Sequence, residues 1–432
     1  MEQYDYIDDL CKFLDSSPVN FLAVDTVRRR LDAEGFERLD PREAWEINRG
    51  GRYYVTKNDS AIFAFTVGDS DPEDGFRIIA AHSDSPGFRI KPDCEILCDG
   101  NIVKLNTEVY GGSILYTWFD RPLSIAGRVM LRGQDPLRPI SRLVRFDRPL
   151  LTIPHLAIHF NRSVNDGNPL SKQKDMLPVI GRVNAKGDEK GLVRRLVAEE
   201  LNVDPEIIID YDLSLFDTTP ACITGINGEF VTSGRIDDLS MVHAALTSLL
   251  EAGNERGAIK VMAIFDNEET GSGTKQGAAS PVLRNILKRI CNSLGWTDEA
   301  FMISIASSFM ISADNAHAVH PNYVEKQDPT NHPTLGGGPV IKINANCKYM
   351  TDADSAAVFK NICDIAGIPC QYFVNHSDVA GGSTLGNILT AQLDLRGVDM
   401  GAGVWAMHSV RETASTADHI SIIKAFCTFY EI

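Results

Sequence analysis

Five times along this chain a run of apolar residues stops and acids or histidines follow at once. The places are "IIAAHSDSPG" (His82, Asp84), "SGRIDDLS" (Asp237, Asp238), "MAIFDNEETGSG" (Glu268, Glu269), "SFMISADNAHAVHPNY" (Asp314, His317, His320) and "AMHSVRE" (His408). Short apolar runs bounded by turn residues read as strands buried on both faces. In α/β sheets, ligand sites form outside the carboxyl ends of such strands. Strand ends far apart in sequence therefore converge in space. A fold for this chain has to let them do so.

The rest of the pattern supplies that fold. From Asp238 onward helices such as "DDLSMVHAALTSLLEAG", "SPVLRNILKRICNSLG", "DADSAAVFKNICDIAG" and "ADHISIIKAFCTFY" alternate with strands "AIKVMAIF", "SFMIS", "GPVIKINA" and "PCQYFV". Near the start, Ile7, Leu10, Cys11 and Leu14 lie on one helical face, and a second helix runs from about Phe21 to Glu34, stopped by Gly35. "RYYVTKNDSAIFAFTVG" predicts a hairpin turning at Asn58 and Asp59. Alternation of this kind predicts an α/β fold, a three-layer unit with a mostly parallel central sheet. Between residues 91 and 233 the texture changes to short β-like runs, "NIVKLNTEVYG", "LSIAGRVML" and "PLLTIPHLAIHF", with one helix, "EKGLVRRLVAEEL". The expected organisation is a discontinuous domain, 1–90 and 234–432, interrupted by a smaller, mainly β insertion, 91–233.

Composition narrows the partners. The 432 residues carry a net charge of −16, which repels phosphate backbones and anionic lipid, so neither nucleic acid nor a membrane is an expected partner. No apolar run approaches bilayer length. The start, "MEQYDYIDDLCKFLDSSP", lacks the basic and apolar regions of a secretory signal. The nine cysteines are dispersed without a CxxC pair, as in a reducing compartment, and the expected location is cytoplasmic.

Taken singly, each acid or histidine at a strand end has an ordinary explanation as a turn former, helix cap or packed side chain. Together they form a His/Asp/Glu set without cysteine. Such a set suits a borderline metal, zinc, cobalt or manganese, in a hydrolytic site.

In their order, "AAHSDSPG", "SGRIDDLS", "FDNEETGS", "SADNAHAVHPNY" and "AMHSVRE" resemble the motifs of the M18 aminopeptidases, aspartyl aminopeptidase relatives among the dinuclear zinc exopeptidases; "IPHLAIHFNR" and "GPVIKIN" match as well. The resemblance covers nearly the whole chain. It implies a peptidase domain interrupted by a dimerisation domain, and two Zn²⁺ per subunit that Co²⁺ or Mn²⁺ can replace. His82, Asp237 and Asp314 would hold one ion, and Asp237, Glu269 and His408 the other, with the Asp237 carboxylate bridging. Glu268 would be the general base, and Asp84 would orient the His82 ring. The peptide bond after Asp237 would be cis. His155 would reach the active site of a neighbouring subunit, while His317 and His320 lie on the substrate side.

Lys342 is the expected partner of an acidic substrate side chain, so the expected activity removes an N-terminal Asp or Glu, or else a neutral residue, from short peptides. Self-association into dimers and a tetrahedral dodecamer is also implied. Two departures stand out: Asp238 replaces an asparagine common in relatives, and "VNHSDVAGGSTLGN" is looser than the usual form. Two rivals use the same residues, a dinuclear deacylase or carboxypeptidase and a non-catalytic assembly protein.

Overall fold

The computed structural model describes residues 3–253 and 257–432. It divides into two compact units. The first comprises Met1–Asp84, Ala221–Met407 and Glu412–Ile432; the second comprises Ser85–Pro220 and His408–Arg411.

The first unit is built on a nine-stranded sheet. At its centre Ile259–Phe265 lies between Ala61–Thr66 and Phe76–His82, followed outward by Phe309–Ala313, Arg396–Gly401, Val340–Ile343 and Gln371–Val374. Five of the eight neighbouring pairs are parallel, so the sheet is mostly parallel as expected. Its central strands are apolar apart from Lys260 and Arg77 near their starts, because both faces are covered. Phe76, Ile78, Ala80, Val261, Ala263 and Phe265 enter one core with the helices Val282–Ser293 and Asp298–Ala306. Ile79, Ala81, Met262 and Ile264 enter the opposite core, with helices Gln3–Ser16, Asn20–Ala33, Ile236–Glu251, Ala353–Ala366 and Thr416–Glu431. The two-residue period of a strand sends alternate side chains to each side. The result is the predicted helix–sheet–helix layering.

The first hairpin turns where expected. Asn58 and Asp59 have φ of 59° and 55°, a left-handed conformation that Asn and Asp tolerate better than most residues, and the Ser60 N–H donates to Lys57 O at 3.2 Å. The helix Asp298–Ala306 has no counterpart in the sequence expectations. Its "AFMISIA" is apolar but for Ser304 and hides a helical period, although Thr297 caps it by accepting from the Ala300 N–H at 3.1 Å.

The second unit is an antiparallel sheet of Ile140–Arg145, Leu123–Leu131, Ile208–Asp217, Gly87–Leu97, Ile102–Tyr110 and Val179–Arg182. The helix Leu192–Leu201 buries Val193 and Val197 in the same core as Phe88, Ile125 and Val129. Its limits differ from the expected 91–233. Gly87–Leu97 pairs entirely within the second unit's sheet, whereas Cys222–Thr224 and Phe230–Ser233 join a five-stranded sheet of the first unit with Glu412–Ser415. Local texture marks a residue as β-like, but only its long-range partner decides which sheet owns it. Among the described residues, no helix is long and apolar enough to cross a membrane.

Candidate metal centre

Parallel register brings the first residues together. Phe265 is paired with His82, and Ser312 with Ala80, so His82, the turn after Phe265 and Asp314 emerge level at one edge of the sheet. Asp314 is held there by its N–H, which donates to Met400 O at 2.9 Å. The next residue of that strand, Gly401, has no room for a side chain, since a Cβ would collide with the Asp314 carbonyl oxygen. Gly401→Ala should therefore displace Asp314, at a cost of about 1–3 kcal/mol. Reduced metal content in the folded variant is the expected result, and unchanged content would show that Asp314 need not stay where Gly401 allows it.

Asp237 comes from the opposite core layer, in the first turn of the helix Ile236–Glu251. The Asp237–Asp238 peptide is cis, as the motif implies. The Asp237 N–H donates to Glu412 Oε2 at 2.9 Å, and the buried Asp238 carboxylate accepts from the His82 N–H at 3.1 Å. His82 Nε2 then lies 3.7 Å from Asp237 Oδ1. At its other nitrogen, Nδ1 is 3.0 Å from the Asp84 carbonyl oxygen and 3.4 Å from Asp84 Oδ1.

Asp84 has a second task that the motifs do not show. Its two carboxylate oxygens accept from the Glu268 and Glu269 N–H groups, at 3.1 and 3.2 Å. The strand stops at Phe265, Asn267 turns left-handed at φ 63°, and Glu268–Thr270 forms one tight helical turn. This frees the adjacent glutamates from the alternating directions of a strand.

The electrostatics suit a cation. Donor atoms of His82, Asp237, Asp238 and Asp314, all buried, lie within 4.8 Å of one another, and so do those of His82, Glu268 and Glu269. Burial pushes Glu269 and Asp238 well above the usual carboxylate range, reinforced by neighbouring carboxylates and opposed by His82. Burial, with Asp314, Asp84 and Asp237 repelling, pushes Glu268 up to about 8, against the pull of His82. Burial lowers the His82 pKa, yet Asp238, Asp237 and Asp84 more than reverse this and hold it well above the ordinary imidazole value. A cation placed among these buried carboxylates would relieve their mutual repulsion. A set of imidazole and carboxylate donors spaced like one coordination shell fits zinc, with bonds of about 2.0–2.2 Å.

The other predicted residues are placed as follows. Lys342, expected to face a substrate carboxylate, is buried with its ammonium 3.3 Å from Asp314 Oδ1. His317 is exposed against the Phe373 ring, and His320 Nδ1 accepts from the Asn322 N–H at 3.2 Å; neither joins a metal-capable group among the described residues. His408 belongs to the second unit, with Nδ1 3.2 Å from Gly112 O. His155 is also in the second unit, its ring edge-on to Phe119 at 4.4 Å and its N–H donating to Asp120 Oδ1. Sequence reasoning missed Glu412 and Asn315, which donates to Ile236 O at 3.0 Å and so supports the turn bearing Asp237. Glu412 ends the quoted motif "AMHSVRE", and that place was its only signal.

Comparison with known proteins identifies the family. The family described as aminopeptidase I zinc metalloprotease (M18) matches residues 13–430. A protein of Clostridium novyi (strain NT), described as "Probable M18 family aminopeptidase 2", is 50% identical over 428 residues, 99% of each chain. Among solved structures, that titled "Cryo-EM structure of the Ape4 and Nbr1 complex" is 37% identical with a TM-score of 0.95, over 99% of this chain and 86% of that one. The "Structure of S. cerevesiae mApe1 dodecamer" is 25% identical with a TM-score of 0.86, over 99% and 96%. With its sequence matched nearly end to end and its backbone superposing on solved relatives, the chain belongs to the M18 family and is a zinc metalloaminopeptidase.

Proposed function

We propose that this aminopeptidase works through two zinc ions and removes Asp or Glu, in preference to neutral residues, from the N-terminus of short peptides. One observation carries the proposal: His82, Asp237 and Asp314, from three separate chain segments, present buried donor atoms to one point. His82, Asp237 and Asp314 would hold the first ion. Asp237, Glu269 and, by the motif resemblance, His408 would hold the second. Bound there, zinc would polarise the scissile carbonyl and make water a better nucleophile at neutral pH.

The remaining work belongs to the chain. Glu268 takes the proton of the attacking water on its carboxylate and returns it to the leaving amine. Asp84 holds the Glu268 and Glu269 amides, so base and ligand keep fixed places on one turn. Glu412 and Asp238 fix the Asp237 turn and the His82 backbone. The acidic preference is assigned to Lys342, with His317 and His320 lining the substrate side. His155 would act in the site of a second copy. A relative is described as a dodecamer, and a similar closed assembly of dimers would admit only short peptides.

The test is a panel of free and N-blocked aminoacyl substrates, run with metal removal and add-back. Chelation should abolish cleavage of free substrates; Zn²⁺, Co²⁺ or Mn²⁺ should restore it, and blocked substrates should not react. Full activity in protein shown to be metal-free would overturn the proposal. Preference for leucyl over aspartyl substrates would overturn its finer part alone.

A further inference from the structure

The Lys342–Asp314 pair is hard to explain as substrate recognition alone. Lys342 is only 3% exposed, and its Nζ lies 3.3 Å from Asp314 Oδ1. The Tyr349 ring sits 5.7 Å from the same nitrogen. A buried ammonium needs a partner, because an unpaired charge away from water is strongly disfavoured. Here that partner is built into the protein.

The backbone holds both members of the pair to one strand, Arg396–Gly401. Its Met400 carbonyl accepts from the Asp314 N–H at 2.9 Å, and Met400 is also the register partner of Ile341, the residue before Lys342. The two side chains therefore meet whether or not a peptide is present. A carboxylate has two oxygens and about four lone-pair sites. An ammonium fixed on Oδ1 leaves the other oxygen for a metal and removes the rotational freedom that the carboxylate would otherwise lose on binding. Groups that hydrogen-bond a ligating side chain commonly control both its orientation and the affinity of the site.

We propose that Lys342 is a positioning residue for the metal site: it presents Asp314 to the ion before any substrate binds. The inference rests on the reading of Asp314 as a ligand. It does not bar a substrate carboxylate from the same ammonium, so it adds to the specificity role without replacing it.

The experiment measures zinc affinity by competition with a chromophoric chelator, without substrate, for the full-length protein and for Lys342→Met and Lys342→Arg. Lys342→Met should weaken zinc binding by roughly 10–100-fold at one of two sites, the usual scale for losing a residue behind a ligand. Lys342→Arg, which keeps the charge, should recover part of this. At limiting zinc, aspartyl and leucyl substrates should lose kcat/KM together, and added zinc should return the leucyl activity. If Lys342→Met does not fold by circular dichroism, Lys342→Gln takes its place with the same expected direction. Zinc affinity within twofold of the parent, with only acidic substrates impaired, would overturn the positioning role and leave a substrate contact. A parent protein that binds no zinc would instead sink the metal-site reading itself.

Discussion

Glu268→Gln will keep its metal and lose at least ~100-fold in kcat, the lower end of what a positioned general base contributes. The change preserves shape and the Asp84 hydrogen bond, which is made by the Glu268 backbone N–H. It removes only the ability to take a proton. Glu269→Gln, one residue along the same tight turn, will behave differently: an amide is a weaker donor to a cation, so metal content should fall first and activity with it. Metal analysis beside steady-state kinetics separates the two. If Glu268→Gln released metal and Glu269→Gln kept it, the roles proposed for the pair would have to be exchanged.

Phe426→Ala will cost about 3–5 kcal/mol of stability, the range for removing a fully buried aromatic ring. Phe426 has no exposed surface and lies on the helix Thr416–Glu431, in the same core as the helix Ile236–Glu251 that carries Asp237. The denaturation midpoint in urea reads the loss. Native-like zinc affinity at low temperature should persist, since Phe426 is not among the proposed ligands. A loss below about 1 kcal/mol would mean that the core closes over the space.

Much of this protein could be read in its sequence, and the limits have physical causes. Both faces of the Ile259–Phe265 and Phe76–His82 strands are buried, so their apolar runs are long and end abruptly. Where they end, Glu268 and His82 become conspicuous. The family resemblance supplied roles that spacing alone left open. Spacing could not show that Asp84 would accept from two backbone amides of a turn far along the chain, because backbone donors leave no mark on residue identity. Nor could it show that Lys342 would meet Asp314. That depends on the strand Arg396–Gly401 lying between the two, a matter of sheet order. The unit boundary was missed for a similar reason: Cys222–Thr224 and Phe230–Ser233 look like their predecessors in sequence but pair with Glu412–Ser415.

The division of the first unit into three chain segments has a consequence during synthesis. The strand ending in His82 leaves the ribosome early, but its neighbours in the sheet, Ile259–Phe265 and Phe309–Ala313, are both far downstream. At roughly 5–20 residues per second, Asp314 follows His82 by about ten seconds or more. The nearly continuous second unit can complete most of its own sheet in that interval, while the first waits with an apolar strand unpaired. A nascent chain therefore cannot assemble the proposed metal centre until most of its length exists. The late return of the chain keeps the protease inert on the ribosome, at the cost of a longer interval in which the strand needs protection from aggregation.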